Sequence, residues 1–318
     1  MKVNISNLCT LKSFLLLFSV LVIGLGLGTC SNIAIFDDGG NDPSYDPPYR
    51  LLYIITKNAE SSSYYTAARA DADLPLPGAE KHSIQGCINV ISADAINEES
   101  FAIQFGNGTD ELDIGTNGAT FPGRNITLLG KVTSNKASNL FTVPEGAVIN
   151  SKAEIRYTAN TANLFLISGG ALIISDGLIE ATGVSGIAIH IKFTDGAVTI
   201  NDGTVQAKGL NGIAICNDYG ALTINGGEIK AKGDRGVAVC KDTPIAVTII
   251  SGGFVEATGV NGTAVYNYST SAVTITGCKI QANLDSWAIS GRATISPSVE
   301  IIEGKVDPKV VMDTALKI

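Results

Sequence analysis

Residues 197–220, AVTINDGTVQAKGLNGIAICNDYG, are followed at once by residues 221–242, ALTINGGEIKAKGDRGVAVCKD. The second phrase keeps the apolar residues of the first and changes the polar ones. Related phrases begin at Ala171, Ala246 and Ala272, with a fainter copy at Ala147. The successive starts are 24, 26, 24, 25 and 26 residues apart. A period of this size marks an architecture in which each repeat is one unit stacked on the next.

The first of the two quoted phrases contains three short alternating runs. Val198 and Ile200 flank Thr199, Val205 and Ala207 flank Gln206, and Ile213 and Ile215 flank Ala214. Period-two alternation is the pattern of a strand with one buried face. Asp202-Gly203, Gly209 and Asn211-Gly212 separate the runs, and Gly admits the sharp bends needed there. Three strands and three turns per repeat predict one coil of a right-handed, single-stranded parallel β-helix, with coils of about 24–26 residues. A leucine-rich repeat would carry a Leu and Asn signature that is absent, and a propeller blade needs about forty residues. One coil cannot bury its own Val, Ile and Ala, so like residues must align between coils. The expected inward columns are Ile174, Ile200, Ile224, Ile249, Ile275 and Ala181, Ala207, Ala231, Ala257, Ala282; Thr199, Thr223, Thr248 and Thr274 are expected outside.

The chain has 318 residues, 45% of them apolar and 16% charged, with a net charge of −8. Lys2 and Lys12 are the only charged residues among the first 29, so the remainder is more acidic still. That balance argues against binding to nucleic acid or anionic membrane surfaces. The two lysines precede the apolar run FLLLFSVLVIGLGL, Phe14 to Leu27, which is too short to span a bilayer comfortably and matches a secretory signal. It ends in Leu27-Gly28-Thr29-Cys30, which resembles a bacterial lipobox, although Thr29 stands where Gly or Ala is usual. The resemblance implies lipid attachment at Cys30 and a place in the bacterial cell envelope.

Three segments follow: a signal peptide of lipoprotein type (1–29), a lipid-anchored tether with a loosely structured lead-in (30–85), and a β-helix with an N-terminal cap (86–318). Val90, Ile91, Ala95 and Ile96, with Ser92 as N-cap, predict a short amphipathic helix closing one end of the stack.

The phrases FAIQFGNGTDELDIGTNGATF (101–121), NITLLGKVTS (125–134) and VYNYSTSAVTITG (265–277) resemble the repetitive parallel β-helix surface proteins of bacteria, of the pectate-lyase-like adhesive or carbohydrate-binding type. The resemblance covers about residues 86–300 and implies an exported protein that engages polysaccharide. Some relatives hold calcium through Asp in an Asp-Gly-Ile turn. Here those turns read Ser185-Gly186-Ile187, Asn211-Gly212-Ile213, Arg235-Gly236-Val237 and Asn261-Gly262-Thr263, without the acid.

A lyase needs carboxylates to hold calcium and a base to take a proton. The best pair is Asp218 and Asp242, one coil apart, with Lys192 before and Tyr268 after; two carboxylates fall short of the six oxygens calcium takes. They read as solvated turn acids. For glycans, Phe193, Tyr219, Tyr266 and Tyr268 gather near one turn across four coils, where rings stack on sugar faces. Lys208, Lys230 and Lys232, with Glu256, decorate the middle strands as a polar ladder with a basic spot. His190, Cys216, Cys240 and Tyr266 form one column, but residues in a line suit tetrahedral zinc poorly. Cys216 and Cys240 fall within disulfide range as stacked neighbours, yet read as paired small side chains. No nucleophile elbow or phosphate loop occurs. The expectation is a non-catalytic surface adhesin or polysaccharide-binding lipoprotein, with a polysaccharide lyase or hydrolase and a structural spacer as alternatives.

Overall fold

The computed structural model describes residues 51–58, 61–72, 74–77 and 82–313, so the expected signal segment, Cys30 and most of the tether lie outside the described residues. From residue 100 onward the chain winds as a parallel β-helix. Ala197–Ile200, Thr204–Ala207 and Ile213–Asn217 make one coil, and Ala221–Ile224, Glu228–Ala231 and Val237–Lys241 the next. Each strand pairs in parallel with its counterpart one coil away. Three sheets result, the third of nine strands. The first two meet where Asn125–Ser134 rounds a corner and pairs in both.

The core is built from columns. Ala181, Ala207, Ala231, Ala257 and Ala282 align rung by rung and are buried, as the repeat predicts. The isoleucine column runs Ile174, Ile200, Ile224, then Ile250 and Ile275. Here the expected phase is corrected by one residue: Ile249 faces outward, and Thr248, expected outside, is buried. The alanine that opens that phrase, Ala246, stands at the level of Gly220, and Val247 pairs with Ala221. A one-residue slip moves every side chain of a strand to the opposite face. Both phases of Ala-Val-Thr-Ile-Ile offer apolar residues, so alternation alone left the choice open.

One turn column holds the coils at their closest. A Cβ built on Gly209 would lie 1.9 Å from the carbonyl oxygen of Gly183, and Gly233 and Gly259 stand in the same relation to the coil before. Two residues beyond each glycine, Ser185, Asn211, Arg235 and Asn261 adopt positive φ. The amides of Ser185, Asn211 and Arg235 donate forward to the next coil, as from Asn211 to Asp234 O at 2.9 Å.

At the N-terminal end β1 (Leu52–Asn58) and β2 (Ser61–Arg69) form an antiparallel hairpin, and β1 continues the first sheet by pairing with β3 (Ser100–Phe105). Much of this stretch reads as loose because its polar residues are clustered. Tyr65 and Ala67 nevertheless alternate inward and are buried, as are Tyr53 and Ile55 across the hairpin. The cap helix α1 (Ile84–Asp94) starts well before the expected position. Ser83 is its N-cap, accepting from the Gly86 amide at 3.1 Å, and Ser92 lies inside it. Ile84, Cys87, Ile88 and Ile91 form its buried stripe at helical spacing, while Ile96 is exposed.

Candidate functional site

The turns that follow the third-sheet strands bring the aromatic residues to one corner. Lys192, Asp218, Asp242 and Tyr268 occupy the same level on four successive coils, because each amide donates to the residue preceding the one below it. Phe193 and Tyr219 come next on their own coils. Phe193, Tyr219 and Tyr268 are 51%, 41% and 67% exposed. Gathered at one corner, these rings make an exposed apolar patch of the kind that marks interaction sites. Tyr266 stands edge-on to Tyr268, with centroids 4.2 Å apart at 77°. Burial, then the hydrogen bond with Tyr268, raises the Tyr266 phenol above its ordinary value.

Beneath the aromatics His190, Cys216, Cys240 and Tyr266 do form one column. Asp218 faces the side of Cys216, two residues along a strand, and sits diagonally from His190. Its carboxylate meets His190 Nε2 at 2.7 Å and accepts from Cys216 Sγ at 3.2 Å. This pairing was missed because Asp218 was matched only with Asp242, its direct neighbour. The diagonal relation across a ladder could have found it. Asp242 is exposed on the next coil. Cys216 and Cys240 are free thiols; their mutual hydrogen bond, then burial, raises the Cys216 thiol far above its ordinary range.

The inward column at the same corner is polar for three coils. Ile191 pairs with Asn217, Asn217 with Lys241, and Lys241 with Asn267. Lys241 is 1% exposed. Its ammonium donates to Thr243 O at 3.0 Å, to Ser269 Oγ at 2.7 Å and to Ser271 Oγ, so its three N–H groups meet three neutral oxygens. Among the described residues no carboxylate pairs with it. Burial lowers its ionisation from the ordinary lysine value.

The lysines lie elsewhere, on or just after the second-sheet strands. Glu180, Gln206, Lys230, Glu256 and Gln281 form one ladder across the second sheet, and Arg156 extends it by one coil. Lys208 reaches Glu180 at 2.6 Å, Gln206 donates to the same carboxylate, and Lys230 pairs with Glu228 at 2.7 Å. Arg156 links Glu111 and Glu154 at 3.0 and 3.5 Å. The half-exposed Arg156 pairs each contribute about 0–1 kcal/mol, whereas Glu180 is buried beneath its partners. Lys232 is exposed, has no ion pair among the described residues, and lines a shallow trough with Arg156, Gln206, Glu228 and Lys230. The eight candidate glycan residues therefore divide between two faces. No family model matches the chain, and no curated protein and no solved structure matches it.

Proposed function

We propose that this protein is a non-catalytic polysaccharide-binding or adhesive β-helix, held at the bacterial cell envelope by lipid on Cys30. The observation that carries the reading is the exposed aromatic corner of Phe193, Tyr219 and Tyr268. Rings displayed along a stack with a rung of about 4.8 Å can bind successive units of an extended neutral chain, which has no charge for the acidic surface to repel. The trough beside Lys232 offers a second, polar surface for sugar hydroxyls. A calcium-dependent lyase is the weaker reading, because Asp218 is engaged by His190 and Cys216 rather than converging with Asp242. Export rests on Lys2, Lys12 and the apolar run ending at Cys30.

The test is co-sedimentation of the purified protein with insoluble plant and bacterial polysaccharides, with calcium and with chelator. Saturable binding to one polymer, weakened about tenfold by Tyr268→Ala through loss of about 1.4 kcal/mol, is expected to be unaffected by chelator. Binding to none of the polymers would overturn the carbohydrate reading. A Cys30→Ala variant that still fractionates with membranes would overturn the anchor.

A further inference from the structure

We infer that His190, Cys216 and Asp218, joined by Cys240, form a binding site for a thiophilic divalent cation, zinc by preference. The ligand atoms of the first three lie within 4.8 Å of one another. A tetrahedral zinc ion with bonds of about 2.0–2.3 Å sets its ligands roughly 3.3–3.8 Å apart, so small side-chain rotations bring these three to that spacing, while Cys240, two rungs from His190, stands outside the group and must swing in as the fourth ligand. Two contacts, at 2.7 and 3.2 Å, already lie at or under that range.

The coil repeat supplies the geometry that a single column denies. His190 and Cys216 are direct neighbours across one rung, and Cys240 stands one rung further. These three alone would be collinear. Asp218, on the same face as Cys216 and diagonal to His190, moves the ligand set off the line and gives the cation a second dimension. Two sulfurs, one imidazole and one carboxylate suit zinc; calcium takes six to eight oxygens, which this corner does not offer. The site is partly buried, with the His190 and Asp218 side chains 14% and 20% exposed, so a cation can enter from solvent and is then shielded from it.

Binding balances as follows. Cys216 and Cys240 each release their S–H proton to solvent as a metal–sulfur bond forms. Asp218 enters as carboxylate. His190 binds through Nε2 and carries its proton on Nδ1, which makes no hydrogen bond of its own. One ion thus displaces two protons, and affinity rises with pH. The consequence is a clamp across three coils directly under the aromatic corner.

The experiment uses the full chain, purified with reductant, stripped of metal and titrated with Co²⁺ as a spectroscopic probe, then with Zn²⁺ in competition. Expected are one ion per chain, a thiolate-to-cobalt charge-transfer band, release of two protons, and displacement by Zn²⁺ but not by Ca²⁺. Loss of a ligand in Cys216→Ser should reduce the band to that of a single thiolate and weaken binding roughly 100-fold, Asp218→Asn should weaken it roughly tenfold, and Cys278→Ser should change nothing. Should Cys216→Ser not fold, the partly buried His190, changed in His190→Gln, answers the same question through affinity. No charge-transfer band, or an affinity unchanged in both Cys216→Ser and His190→Gln, overturns the site. So does a thiol count on the protein exported by its host showing Cys216 and Cys240 oxidised to a disulfide.

Discussion

The inward column at the end of the third sheet changes character halfway along the stack. Over three coils it reads Val143, Ile167 and Ile191, all fully buried. Over the next three it reads Asn217, Lys241 and Asn267, also buried. The backbone is the same, and only the means of filling the space differs. The apolar half excludes water and packs beside the tilted stack of Phe141 and Phe165, whose centroids are 5.6 Å apart. The polar half reaches into neighbouring backbone: Asn217 donates to Val247 O and Thr248 Oγ1 at the start of a strand, Asn267 to Ser271 O and Arg292 O. A strand end thus allows either solution, because its side chain lies within reach of polar groups on adjoining backbone that it can satisfy.

The comparison predicts opposite tolerances. The largest effect belongs to volume in the apolar half: Phe165→Ala should destabilise by about 3–5 kcal/mol in urea unfolding. A change of chemistry comes next. Ile191→Asn places an amide without arranged partners in the core and should cost about 2–4 kcal/mol. Its mirror, Asn217→Leu, removes one donor from Val247 O and Thr248 and should cost about 1–2 kcal/mol. Equal costs in denaturant titrations would mean that the two halves are not distinct.

Lys241 sharpens the contrast through pH. Burial lowers its ionisation in the fold relative to the unfolded chain, whose lysine titrates near 10.5. Below both values each state holds the proton and stability is flat. Between them the unfolded chain binds more protons, so stability rises with pH. Burial raises Tyr53 and Tyr157, which acts in the opposite sense above pH 10. The quantity to measure is therefore the stability of the wild type minus that of Lys241→Met, which should increase as pH climbs towards 10.5. A flat difference would mean that the ammonium pays no desolvation cost there. The smallest effect lies in the turns: Arg235 holds φ at 55°, and Arg235→Gly should raise stability by about 0.5 kcal/mol in thermal unfolding.

The stack was legible because repetition is a direct record of it. Ala207 repeats Ala181, and Cys240 repeats Cys216, since identical rungs must present identical side chains to one another. The same reasoning failed where the repeat is inexact. A one-residue difference before Val247 turned Ile249 outward, and only the pairing of Ile250 with Ile224 and Ile275 reveals the phase. Outside the repeat, β2 and α1 depend on pairing with β1 and on packing against the first coils, which no local pattern announces. At the corner, the column of His190, Cys216 and Cys240 and its diagonal to Asp218 follow from spacing, while the approach of Asp218 to His190 depends on rotamers that spacing does not encode.

The forward and backward hydrogen bonds between coils all run nearly along the axis of the stack. A pull applied along that axis from one end therefore loads the bonds lengthwise and in sequence, rung after rung, so the molecule would yield like a zip, at modest force and over a long extension. A pull across the axis must instead shear many strands together, and would meet far greater resistance. Direction of load, more than total stability, decides what such a stack withstands.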